Sequence, residues 1–199
     1  GVGQGNGSAY ATVFSFRNAD AEKSAAILAE KGSQITGIKL VCQSAEDMDG
    51  YPDYAVRVGR DSSGFRLKNT EISGFGGGIY LENHTGAMIK NCTAQVSQFG
   101  VAAINSSDIL IKNCNFLPQD GQNPNTQTAI YSYGGENLRM FSNSVSLAQT
   151  GLSLSGQTGI FPQGLLPPGI FSSLHLPPNP LSSHLFPEVF FGFSPCLRP

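Results

Sequence analysis

Apolar residues in this chain come in short alternating bursts, and the bursts return at a fixed interval. Phe65 and Leu67, Ala87 and Ile89, Ile109 and Ile111, and Leu138 and Met140 each flank one residue, the period of a strand with one buried face. A second short run follows each pair, ending in Ile72, Ala94, Phe116 or Val145. After a turn a third run carries Ile79 and Leu81, Val101 and Ala103, Ile130 and Ser132, or Leu152 and Leu154. The segments GFRLKNTEIS (64–73), GAMIKNCTAQ (86–95) and SDILIKNCNF (107–116) are versions of one unit. Leu67, Ile89 and Ile111 recur every 22 residues, as do Lys68, Lys90 and Lys112, and Asn69, Asn91 and Asn113. A period near 20 residues means stacked repeats that bury their apolar faces against one another.

The next step is 29 residues, and the polar stretch PQDGQNPNTQ (118–127) absorbs the excess. Ile35, Leu40, Val56 and Val58 keep the register if AEDMDGYPD (45–53) is a second insertion. Strict alternation excludes a solenoid of helices, and the LxxLxLxxN spacing of leucine-rich repeats is missing. Three short strands per turn predict an all-β chain. The expected fold is a right-handed single-stranded parallel β-helix with three short parallel sheets and about 22 residues per coil. The phrases IKNC and ISGFGGGIYLEN resemble repeats of the pectate-lyase-like superfamily, over about residues 1–156. The resemblance implies an extracellular or cell-surface protein. It spans lyases, hydrolases, epimerases, phage tailspikes and non-catalytic surface proteins, so it does not choose among functions. It also implies that YAVRVG, GIYLEN, GVAAIN, AIYSY and GLSLS form the first sheet, and that the Asn column marks the turn from the second sheet to the third.

Asn suits that column because it tolerates the left-handed conformation of a sharp bend and can hydrogen-bond up a stack of strands about 4.8 Å apart. In NADAEKSAAILAEKG (18–32) propensity favours helix, while the register makes Ala25 and Ile27 inward strand positions; we prefer the register. GVGQGNG (1–7) reads as the incoming turn of an earlier coil, so residues 1–156 are expected to be a β-helix truncated at its N-terminal end. Residues 157–199 hold nine of the twelve prolines and lack the period, so an irregular Pro/Leu/Phe/Ser-rich tail is expected. It resembles out-of-frame translation more than a domain, with a hydrophobic cap or partner-binding tail as the other reading.

A formal charge of −2 with 13% charged residues gives no reason to expect nucleic-acid binding, and no run of about 18 apolar residues predicts a membrane span. The four cysteines form no CxxC pair, and Cys92 and Cys114 take equal places in consecutive repeats, where a stack of reduced thiols is expected. DMDGYPD lacks the ligand spacing of an EF-hand loop; neither a metal nor a cofactor is expected.

The pleat fixes what faces outward on the first sheet. One column reads Arg57, Tyr80, Ala102, Tyr131, Ser153 and the next Gly59, Glu82, Ile104, Tyr133, Ser155. Both insertions enter just before strands of this sheet and bring Glu46, Asp47, Asp49, Asp53 and Asp120. Tyrosines offer flat faces to sugar rings and Arg holds carboxylates, so an extended polysaccharide is the expected partner. Tyr80, Tyr131, Tyr133, Arg60 and His84 are the candidate binding residues. Glu82 with Asp53 or Asp49 is the candidate carboxylate pair for hydrolysis. For lyase or epimerase chemistry, Arg57 or His84 is the candidate base and Arg60 the uronate neutraliser. His84, in the turn ENHTG, reads otherwise as a simply exposed residue. The NTD, DD, GHG and RIK patterns of polygalacturonases are absent, as is the arginine-proline signature of pectate lyases. A non-catalytic stalk is the rival reading. The lysine column on the second sheet is a further surface candidate, against the plain reading of three solvated side chains.

Overall fold

The computed structural model describes residues 12–16, 25–42, 54–119, 128–146 and 150–163. The first sheet comprises β2 (Ala25–Ala29), β5 (Tyr54–Val58), β8 (Gly77–Glu82), β11 (Phe99–Ile104), β14 (Thr128–Tyr133) and β17 (Thr150–Ser155). The second comprises β3 (Gln34–Thr36), β6 (Arg66–Lys68), β9 (Met88–Lys90), β12 (Leu110–Lys112), β15 (Arg139–Phe141) and β18 (Phe161–Gln163). The third comprises β1 (Thr12–Phe16), β4 (Ile38–Cys42), β7 (Glu71–Ser73), β10 (Thr93–Val96), β13 (Asn115–Pro118) and β16 (Ser144–Val145). Within each sheet every neighbour is the corresponding strand of the next coil, and all pairs are parallel. This is the expected parallel β-helix.

The register follows the sequence repeat. Ile35, Leu67, Ile89, Ile111 and Met140 stack inward in the second sheet, and Leu40, Ile72, Ala94, Phe116 and Val145 in the third. Val56, Ile79, Val101, Ile130 and Leu152 do so in the first. These columns form one continuous core. The strand reading of Ala25–Ala29 holds, since it pairs in register with β5. Residues 1–7 lie outside the described residues.

The end of the repeat needs a correction. β18 pairs with β15, Phe161 opposite Arg139 and Pro162 opposite Met140, so the coil runs through Gln163 rather than stopping at 156. GQTGI (156–160) forms the same turn as earlier coils, with Glu136 bridged to Thr158. Among the described strands β18 is the outermost of its sheet, where a proline blocks no further ladder bond. Residues 164–199, with His175, His184 and Cys196, lie outside the described residues.

The tight turns rest on columns of left-handed residues. From the second sheet to the third these are Gly37, Asn69, Asn91, Asn113 and Ser142, with φ of 67°, 48°, 54°, 53° and 50°. Asn91 Nδ2 donates to Asn69 Oδ1 at 3.0 Å and Asn113 Nδ2 to Asn91 Oδ1 at 3.3 Å, so the expected ladder forms. It lies on the outside of the turn, with Asn91 and Asn113 exposed. Just inside it come Thr70, Cys92, Cys114 and Asn143, all buried. The thiols are free, and they donate to the carbonyls of Lys90 at 3.3 Å and Lys112 at 3.4 Å. Cys42 is also free and buried, and burial pushes its thiol up to about 11. Asn143 carries the inner column on: its Oδ1 accepts from Cys114 N–H and its Nδ2 donates to the Ile111 carbonyl, both at 2.9 Å.

Candidate saccharide-binding face

Each strand of the first sheet begins with a corner. Ala26, Ala55, Gly78, Gly100, Ala129 and Gly151 stack one residue before the inward column, and all are small. The reason is clearest at Gly100, where an added Cβ would collide with the Phe116 ring and the Ala129 carbonyl. With two consecutive residues turned inward, the residue before the corner swings outward. Tyr54 and Phe99 occupy that place. Tyr54 packs on Tyr80 with ring centroids 4.8 Å apart, and Phe99 packs on Tyr131 at 5.5 Å. Both pairs are tilted, at 44° and 48°.

Ala102 lies between the pairs, opposite Tyr80 on one side and Tyr131 on the other. Although the register turns it outward, it is buried, so neighbouring side chains close over it. The result is two aromatic pairs flanking a covered small residue. Tyr80 and Tyr131 are two coils apart, or about 9.6 Å along the helix axis. Tyr133, beyond Tyr131 on β14, is half exposed.

Charge gathers at one end of this face. Glu82 accepts through Oε1 from Arg60 Nη2 at 2.5 Å, and its Oε2 lies 3.6 Å from Arg57 Nη2. The Arg57 guanidinium also sits 5.3 Å from the Tyr80 ring centroid, a cation–π contact. Burial raises the Tyr80 phenol above its ordinary value, and the Glu82 charge adds to this against Arg57. Tyr80 is therefore a neutral hydroxyl near pH 7, suited to hydrogen bonding and not to proton abstraction.

The structure brings together Arg57, Arg60, Tyr80 and Glu82 on neighbouring coils, and places Tyr131 and Tyr133 farther along the same sheet. It separates His84 from them. The candidate role of His84 as exposed ligand or base is corrected, because the residue has no exposed surface. Its Nδ1 lies 2.9 Å from Ser62 Oγ, which itself donates to the Gly59 carbonyl at 2.6 Å. Phe65 N–H donates to Nε2 at 3.4 Å. One tautomer satisfies all three contacts: Nδ1 protonated, Nε2 an acceptor, the ring neutral. Burial lowers the His84 pKa and favours the same state. The side chain points inward because a left-handed residue, Asn83 with φ of 50°, precedes it and turns the chain at the strand end.

Asp53, Glu46, Asp47, Asp49 and Asp120 lie outside the described residues. In sequence, 43–53 fall between β4 of the third sheet and β5 of the first, and 120–127 between β13 and β14 of the same two sheets. Among the described residues Glu82 is the single carboxylate on the first-sheet strands, and no cluster of His, Cys, Asp and Glu is suited to a metal ion. Among the described residues no helix is long and apolar enough to cross a membrane.

A family model described as "Right handed beta helix region" matches residues 7–161. The chain belongs to the right-handed β-helix family. That assignment agrees with the three parallel sheets and fixes the hand of the coil. It is consistent with the pectate-lyase-like superfamily without selecting an activity within it. No curated protein and no solved structure matches the chain. For this β-helix, function is read from the side chains of its faces.

Sequence reasoning missed Tyr54 and Phe99, the second ring of each platform. The signal was present: each stands directly before a member of the small-residue column, at Ala55 and Gly100. A column of Ala and Gly beside a column of Val, Ile and Leu marks a chain corner, and a corner reverses the alternation that places side chains.

Proposed function

We propose that the outer face of the first sheet binds an extended extracellular polysaccharide along the helix axis. The observation that carries this reading is the pair of aromatic platforms, Tyr54–Tyr80 and Phe99–Tyr131, on either side of the covered Ala102. Rings held against each other across coils offer apolar surface to sugar faces at small entropic cost, and the tyrosine hydroxyls add hydrogen bonds. Arg57 and Arg60 give the Glu82 end of the face two guanidiniums for one carboxylate, which favours acidic sugars there. Binding accounts for this arrangement better than hydrolysis does. Hydrolysis uses two carboxyl groups across the glycosidic bond. Glu82 already has a guanidinium on each oxygen.

The test is a screen of the whole chain against uronate and neutral polysaccharides. It combines calorimetric binding with assays for new reducing ends and for the ultraviolet absorbance of unsaturated uronates. Binding without turnover is expected, and the double variant Tyr80→Ala/Tyr131→Ala should weaken it about tenfold or more, in line with loss of aromatic contacts. Turnover abolished by Glu82→Gln would replace the binding reading with a catalytic one. Absence of binding to every polysaccharide would leave the non-catalytic stalk.

A further inference from the structure

The second sheet carries a pattern that the first-sheet site does not use. Lys68, Lys90 and Lys112 stand in register on β6, β9 and β12. Beside them, two residues earlier on each strand, run Arg66, Met88, Leu110 and, on β15, Arg139. The six strands of this sheet contain no Asp or Glu. Among the described residues, the ion pairs are Lys39–Glu71, Arg57–Glu82 and Arg60–Glu82, and none draws on these five cations. The nearest carboxylate on the third sheet, Glu71, is held by Lys39. Asp108, in the turn before β12, accepts from Asn137 Nδ2 at 3.1 Å. A chain of net charge −2 thus assembles a strip of five positive charges with no opposite charge set into it.

The lysines are not the splayed, fully solvated side chains of the plain reading. Arg66 and Arg139 are exposed, whereas Lys68, Lys90 and Lys112 are each partly buried. Their backbone positions repeat in register, one per coil, on strands about 4.8 Å apart. Like charges directly opposite on neighbouring strands are destabilising, and nothing on the face offsets this. One residue farther along runs the exposed Asn69–Asn91–Asn113 ladder. Each amide there spends one N–H on the rung below or has none spent, so every rung keeps a further donor.

We propose that this file of lysines and amides is a second docking track, for a linear acidic polysaccharide lying across the coils. Charge complementarity and spacing both point to that occupant. An extended uronate chain advances by a length comparable to the coil spacing and carries one carboxylate per sugar, against one ammonium and one amide edge per coil. Single-stranded nucleic acid needs an aromatic ring for successive bases; the three strands that carry the lysines hold none, and the rings of this sheet, Phe141 and Phe161, lie beyond the end of the file. The residues flanking the lysine file on its own strands are Arg66, Met88 and Leu110. The track is independent of the first-sheet face: it lies on another sheet and shares no residue with it.

The experiment titrates the whole chain with polygalacturonate, a neutral glucan and a single-stranded oligonucleotide, at several salt concentrations. The triple variant Lys68→Gln/Lys90→Gln/Lys112→Gln should lose about tenfold or more in affinity for polygalacturonate. The slope of log K against log salt should fall by about two, as expected when three cations no longer release counterions. Lys68→Arg/Lys90→Arg/Lys112→Arg should bind as the parent does, with both variants keeping the parent circular dichroism. Tyr80→Ala/Tyr131→Ala should retain the lysine-dependent part of binding. Parent-like affinity in the triple Gln variant overturns the track. So does tighter binding of the oligonucleotide than of polygalacturonate. Loss of the lysine-dependent part in the tyrosine variant also overturns it, by merging the two faces into one site.

Discussion

At the turn from the second sheet to the third, polar side chains stack on the outside: Asn69, Asn91 and Asn113 bond to one another in water. At the turn from the first sheet to the second, they stack on the inside. Ser62, His84 and Ser106 occupy equal places in successive coils, with His84 and Ser106 fully buried. His84 N–H donates to Ser106 Oγ at 3.0 Å, and Ser106 Oγ donates to the Ile104 carbonyl at 2.8 Å. Farther along, Gln157 fills the same column, its side-chain amide 2.9 Å from Ser132 Oγ; the amide orientation that satisfies its surroundings has the nitrogen toward Ser132 Oγ and the Gly134 carbonyl and the oxygen toward Glu136 N–H. Both turns need left-handed residues. The inner turn has two such columns: Asp61, Asn83, Asn105, Gly134 and Gly156, and then Gly32, Gly64, Gly86, Asp108, Asn137 and Gly159. The difference lies in what an error costs. A missing rung outside is replaced by water, while a missing partner inside leaves a polar group with nothing.

The largest effect is therefore expected at the buried imidazole. His84→Ala removes the acceptor of Phe65 N–H and the neighbour of Ser62 Oγ, and opens a cavity, for a loss of about 3 kcal/mol. Thermal or denaturant unfolding measures it. A loss within the surface range of about 0.5 kcal/mol would show that the inner column is solvated after all.

Next comes Asn143, which lies inside the turn that otherwise displays its amides outside. Asn143→Ala strands Cys114 N–H and the Ile111 carbonyl, so a loss of about 2 kcal/mol is expected despite its place beside the exposed ladder. If it instead behaves like an exposed Asn, burial does not govern the contrast, and position in the turn does.

The comparison also has a pH dependence. Burial lowers the His84 pKa from its ordinary 6.5. The unfolded chain then takes up a proton at higher pH than the folded one. The contribution of His84 is complete above 6.5 and is lost as pH falls through 6.5 towards the lower folded value. Protonation would also remove the Nε2 acceptor that Phe65 N–H uses. The unfolding midpoint should fall between about pH 8 and pH 5, with part of that slope absent in His84→Gln. Identical slopes in the two proteins would place the titrating group elsewhere.

How much of this was legible depends on which residues write the signal. The inward Leu, Ile and Val columns and the Asn column repeat without change of chemical type, so a fixed period exposed the fold and the outer ladder. The inner turn uses Ser, His, Ser, Gly and Gln at one place, and Gly, Asp or Asn at another. Its geometry repeats while its chemistry does not, and His84 read as a lone exposed turn residue. The candidate face was half legible. Pleat alternation gave Arg57, Tyr80, Glu82, Tyr131 and Tyr133, but it could not give Tyr54 and Phe99, because the Ala and Gly corner breaks the alternation. Arg60 follows the end of β5 by two residues, and its bond to Glu82 depends on the 22-residue offset between them.

The smallest effect is expected at the rung that first revealed the repeat. Asn91 donates to Asn69 and accepts from Asn113 on the exposed side of the turn, and its backbone is left-handed at φ of 54°. Asn91→Ala loses two solvent-competed hydrogen bonds and puts a methyl-bearing residue where Asn is better tolerated, for about 1 kcal/mol. Asn91→Gly loses the same bonds and relieves the backbone, so it should cost less than Asn91→Ala. That order separates the two contributions to the ladder. Should Gly prove as costly as Ala, the side-chain bonds would dominate and the outer stack would be stronger than its exposure implies. Should Gly be neutral, the column exists for its backbone, and the amides are left available to whatever lies along the lysines beside them.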